Sequence, residues 1–160
     1  MKIAKSNAVN VNGGRFGANV RTRIDGTTKP HWGTDLYAEV NTPVYSIDDG
    51  VVVRIVNDHS PGQSNGPNDF GNFVEIETHL PNGNIKRILY AHLNSTNLVV
   101  GDSISSQTQI GLSGRTGNAK NVPNPHVHVQ VKMNGIKVNP ELFLEAEFDD
   151  LGSSINLPCN

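Results

Sequence analysis

The chain has 160 residues, 18% of them charged, a formal charge of −2, 16 Gly and 9 Pro. That length suits one domain with a real core, and the near-neutral charge gives no reason to expect nucleic acid or an anionic membrane surface as partner. The composition favours short strands and turns over helices.

Residues 1–30 are rich in turn formers (Asn12-Gly13-Gly14, Gly17, Asp25-Gly26, Lys29-Pro30) and read as an irregular arm with one short strand. No apolar run there is long enough for a signal-peptide core, and no segment approaches a membrane span. His31-Trp32-Gly33-Thr34-Asp35 follows. Gly33 and Pro30 argue against a helix, so an extended segment carrying His31 and Asp35 on one side is expected. Thr42–Ile47 and Val51–Val56 are apolar runs separated by Asp48-Asp49-Gly50, which predicts a hairpin. Residues 57–71 form a long polar loop in which His59 reads as a solvated residue; a loop of this length is a candidate groove wall.

Alternation returns at Asn72–Thr78, and Ile85–Leu93 is its partner strand, with His92 near the end. His79 sits beside a turn and is expected to make a local hydrogen bond. Gly114-Arg115-Thr116-Gly117 lacks the features of a phosphate cradle, so its glycines serve a tight turn or a close backbone approach. The most informative stretch is Pro125–Val131. Val127, Val129 and Val131 share one face of a strand, and His126, His128 and Gln130 share the other. Two imidazoles about 7 Å apart on one face suit metal binding or proton transfer. Asn134-Gly135 marks a hairpin, and Asn139-Pro140 opens a short helical segment over Glu141–Phe148. The tail from residue 149 reads as loose. The expected fold is all-β, an antiparallel sheet or sandwich-like core with a groove and long loops, in a single domain over 1–148.

The one cysteine, Cys159, can make no internal disulfide and excludes a thiolate-rich zinc site. His31, Asp35 and one of His126 or His128 would supply three ligands of a catalytic zinc. His31-x-x-x-Asp35, Tyr90-Ala91-His92-Leu93, Gly114-x-Thr116-Gly117 and His126-x-His128 occur in that order. This set resembles the lysostaphin/LytM-type zinc endopeptidases, which cut peptide cross-links in bacterial peptidoglycan. Thr42-Pro43-Val44 and Asp49-Gly50-Val51-Val52 resemble the strand pair after the family's first motif, and the match covers about residues 13–140.

The resemblance implies one Zn²⁺ held by His31, Asp35 and His128, with His92 and His126 as the catalytic pair. It implies stem and cross-bridge peptides of peptidoglycan as substrate, and action in a target cell's periplasm or outside the cell. With no leader seen, export by a non-classical route is expected, as for an injected antibacterial effector or a phage lysin; an effector would have a matching immunity protein. Two features depart from the family pattern. Gln130 stands where an acidic residue is usual, offering a hydrogen-bond acceptor without charge. Phe16-Gly17-Ala18-Asn19 replaces Phe-Gly-x-Arg, with Arg21 displaced. The alternative is a non-catalytic relative of the same fold that binds the wall or activates another hydrolase. Against it, all five implicated residues are present.

Overall fold

The computed structural model describes residues 14–144, with the backbone of 147–148 and 154–155. The start of the N-terminal arm, the rest of the tail and Cys159 lie outside the described residues. The fold is all-β. In chain order the strands are β1 (Gly17–Thr22), β2 (Thr28–His31), β3 (Thr34–Tyr37), β4 (Pro43–Tyr45), β5 (Gly50–Val56), β6 (Asn72–His79) and β7 (Ile85–Ser95). Then come β8 (Ser103–Ile104), β9 (Gln109–Ser113), β10 (His126–Met133), β11 (Ile136–Val138), β12 (Glu147–Phe148) and β13 (Ser154–Ile155).

The main antiparallel sheet runs β11-β10-β7-β6-β5-β8. Strand β3 pairs with the first half of β10, and the end of β7 pairs with β9, which in turn pairs with β4. Alternation explains the core. Val127, Val129 and Val131 of β10, Ile88 and Tyr90 of β7 and Val74 and Ile76 of β6 point to one face, where Val44 and Ile110 from the β4–β9 pair meet them. The buried Tyr90 hydroxyl accepts the Ile47 N–H at 2.9 Å, which ties the segment after β4 over the sheet. The opposite face carries Phe73, Leu89 and Ala91 and, along β10, the histidines.

Three expectations are corrected. The arm forms not one strand but a hairpin, β1–β2. The expected hairpin of 42–47 with 51–56 does not form: β4 pairs with β9, whereas β5 pairs with β6 and β8. Gly50 is not a turn glycine. A Cβ there would lie 2.5 Å from the Glu77 carbonyl oxygen, so the residue is small to let β5 approach β6. The helical segment at Glu141–Phe148 is only a 3₁₀ turn, Pro140–Phe143, followed by β12; Asn139 caps the turn by accepting the Glu141 N–H. Among the described residues no helix is long and apolar enough to cross a membrane.

Candidate metal centre

Antiparallel pairing of β3 with β10 sets Asp35 directly opposite His128. His31, at the end of β2, reaches the same point. Three donor atoms converge: His31 Nε2 lies 3.1 Å from His128 Nδ1 and 3.2 Å from Asp35 Oδ1, and His128 Nδ1 lies 2.8 Å from Asp35 Oδ1. A tetrahedral ion with ligand bonds of about 2.0–2.1 Å needs ligand–ligand edges of about 3.3–3.4 Å. Two edges of the triangle are within about 0.3 Å of that length, and the His128–Asp35 edge is about 0.5 Å shorter. All three residues are buried. Two imidazole nitrogens and one carboxylate, with no thiolate, suit zinc.

Each donor is oriented from behind. His31 Nδ1–H donates to the Arg15 carbonyl at 3.0 Å, which leaves the Nε2 lone pair for the centre. Arg21 Nη2 donates to Asp35 Oδ2 at 2.6 Å, turning Oδ1 inward. The His128 ring stacks on Phe70, with centroids 5.6 Å apart. Gly33 is required behind it: a Cβ there would lie 2.3 Å from His128 Cε1. Burial works to raise the Asp35 pKa, but His126, His128 and His31 outweigh it and hold the carboxyl well below its usual range. Burial also lowers the His128 pKa, against the pull of Asp35. At neutral pH Asp35 is ionised and His128 is neutral, the forms a metal needs.

His92 reaches the site through a break in the strand pattern. Regular alternation would send Tyr90 and His92 to the core face together. Instead β7 carries an extra residue opposite Asn72–Val74 of β6, and His92 has φ 62°. This bulge leaves Ala91 and His92 both on the site face and returns Leu93 to the core. His92 Nδ1–H donates to the Thr116 carbonyl at 2.9 Å, so its Nε2 is an acceptor. Burial first, then the neighbouring His126 and His128, push its pKa down to about 3, and the imidazole is neutral at pH 7. The Gly-x-Thr-Gly loop holds that carbonyl. Thr116 Oγ1 donates to Leu93 O at 2.7 Å and accepts the Asn72 N–H at 3.0 Å. Gly117 (φ 67°) presses on Gly71, where a Cβ would lie 2.3 Å from the Gly71 nitrogen. His126 Nδ1–H donates to the Asn124 carbonyl at 3.0 Å, and its ring meets His92 edge-on at 5.2 Å. Its Nε2 stands 3.7 Å from Asp35 Oδ2.

The five residues named from sequence therefore come together, on the floor of a groove of about 680 Å³. The sequence reading missed Arg21 as the partner of Asp35 and Gly33 as the seat of His128. It also misplaced His59, which is buried rather than solvated. His59 Nδ1 pairs with Asp58 Oδ1 and Nε2 with Asp69 Oδ2, both at 2.9 Å, and its backbone exchanges hydrogen bonds with the Asn72 side chain. This clasp fixes the long loop whose Pro67, Asn68 and Phe70 form one groove wall. His79 makes its local bond, to Glu77, at 2.8 Å. Gln130 makes no hydrogen bond to a ligand imidazole among the described residues; backbone carbonyls orient His31, His92 and His126 instead.

The sequence model of Peptidase family M23 matches residues 29–140, the stretch that contains all five. The chain belongs to peptidase family M23. This M23 chain is 36% identical over 110 residues to the peptidoglycan DD-endopeptidase ShyA of Vibrio cholerae, covering 69% of the chain and 22% of ShyA. It is 35% identical over 109 residues to the glycyl-glycine endopeptidase ALE-1 of Staphylococcus capitis, covering 68% of the chain and 26% of ALE-1. The M23 fold matches the catalytic domain of lysostaphin from Staphylococcus simulans with a TM-score of 0.59 and 26% identity, over 81% of this chain and 87% of that one. The chain thus spans about a quarter of the length of these two curated relatives, and nearly all of the lysostaphin catalytic domain.

Proposed function

We propose that this M23 chain is a zinc-dependent endopeptidase that hydrolyses peptide cross-links of bacterial peptidoglycan. The observation that carries the reading is the near-tetrahedral triangle of His31 Nε2, Asp35 Oδ1 and His128 Nδ1 beside two further imidazoles in one groove. Those three atoms would hold the zinc, which supplies Lewis acidity toward the scissile carbonyl and toward water. His92 Nε2, neutral and with its other nitrogen committed to Thr116, accepts the proton of the attacking water. It returns that proton to the amine nitrogen as the C–N bond breaks. His126, braced by the Asn124 carbonyl, turns its Nε2 toward the same point of the groove, where a proton carried there would be shared with the oxyanion of the tetrahedral carbon. The activities of the relatives, a peptidoglycan DD-endopeptidase and a glycyl-glycine endopeptidase, support peptidoglycan as substrate.

The experiment is digestion of purified peptidoglycan with zinc content measured alongside. The native chain is expected to bind one zinc and release cross-link fragments, and His128→Ala to lose both metal and turnover. Full activity in His128→Ala would refute the assignment. Peptidoglycan lies outside the cytoplasmic membrane, so the site of action is the periplasm of a target cell or the extracellular face of the wall. Toxicity that appears only when the chain carries an added export signal would support this, and delivery as an antibacterial effector predicts a periplasmic immunity protein that fills the groove.

A further inference from the structure

The groove follows β10, and the charges that line it are unbalanced. The loop residues that line it, Pro67, Asn68, Phe70 and Asn118, are uncharged. Its cationic lining residues are Arg21, Lys29 and Lys137. Arg21 and Lys29 face each other across the β1–β2 hairpin, and Lys137 lies opposite Lys132, two residues beyond Gln130 on β10. Among the described residues, Asp35 is the sole carboxylate lining the groove, and it is paired with Arg21. Lys29 and Lys137, both exposed, therefore leave a positive surplus along the groove.

Gln130 lies two residues from the Lys132–Lys137 pair, on the line of His126 and His128. It is 6% exposed, and among the described residues its amide has no hydrogen-bond partner. Its amide atoms remain accessible and the residue lines the groove, where water or a ligand would meet them. An amide N–H₂ in a groove that also carries two ammonium groups suits an anionic oxygen.

We infer that the groove at Gln130 is a subsite for a carboxylate on the peptide flanking the scissile bond. Gln130 donates to it, and Lys29 and Lys137 supply the field. The inference rests on the endopeptidase reading of the same groove and narrows its substrate class. The chain selects stems that carry a free carboxylate beside the cross-link over bridges of uncharged residues.

The test uses two synthetic cross-linked peptides, identical except for a carboxylate or a carboxamide on the residue flanking the cleaved bond. With the zinc-loaded chain at low salt, kcat/KM is expected to be about tenfold higher for the acid, about 1.4 kcal/mol, expressed in KM. The ratio should fall toward about two in Lys29→Gln/Lys137→Gln, and also in about 0.5 M salt. Gln130→Leu should lower it too, and the surface lysine pair keeps the test valid if that buried variant fails to fold. A second arm measures binding of N-methylated, uncleavable versions of both peptides through the fluorescence of Trp32, the one tryptophan, which lines the groove. Equal cleavage of both peptides, or a preference that survives the double lysine substitution, overturns the inference and leaves the endopeptidase reading intact. Acid-selective binding without cleavage upholds the subsite and sinks the hydrolase. Neither cleavage nor selective binding sinks both.

Discussion

His92 stands in the left-handed region at φ 62°, a conformation that costs a non-glycine residue about 1–2 kcal/mol. The bulge that imposes it brings the ring onto the site face, so strain and function are one feature. Comparing His92→Ala with His92→Gly isolates the backbone. Both variants lose the same imidazole and the same hydrogen bond to Thr116 O. Only alanine keeps a Cβ in the left-handed region, while glycine is unstrained there. His92→Gly should therefore be the more stable by about 1 kcal/mol, which raises its melting temperature above that of His92→Ala by about 2–4 °C for a chain of this size. Both should retain zinc, because neither change touches the triangle, and both should lose turnover on purified peptidoglycan. Thermal melts, metal analysis and fragment release read the three quantities on the same samples. If His92→Ala melted at or above His92→Gly, the bulge would not be an imposed strain. If either variant turned over normally, the ring would have no part in proton transfer.

Gly33→Ala should cut zinc affinity by roughly 100-fold. Its Cβ would enter within 2.3 Å of the His128 ring and must displace it by about 1 Å, beyond the few tenths of an ångström that ligand bonds tolerate; unchanged affinity in a competition titration would show that the ring can retreat without cost. The chelated chain should lose stability as pH falls below about 6.5. The unfolded chain then binds a proton at His92 that the folded chain refuses until about pH 3, which tilts unfolding by up to about 1.4 kcal/mol per pH unit. His128, also lowered, adds in the same direction. Denaturant titrations between pH 6.5 and 4.5 should show a shallower slope in His92→Gly, and equal slopes would mean the buried ring is protonated as readily as a free one.

Much of this molecule is legible locally. The two-residue period of Pro125–Val131 assigns three valines to the core and three polar side chains to the opposite face, and the structure keeps that division. Gly33 and Pro30 correctly exclude a helix around His31 and Asp35. Ligand-type residues and their order can be read in one dimension because side-chain direction in a strand depends only on the neighbouring residues.

Other features depend on what lies across the sheet. Asp48-Asp49-Gly50 has the composition of a hairpin turn, yet β4 finds its partner in β9, more than sixty residues away, and Gly50 is small because of β6. His59 reads as solvated until Asp69 and Asn72 close around it. Alternation alone would bury His92 in the core; a bulge held by the pairing of β6 with β7 brings it to the groove. The sequence by itself set the faces of each strand and the chemical types available for a site. Pairing between distant strands decided which of those side chains meet, at what separation and with what charge around them, because register and strain are properties of two backbones together.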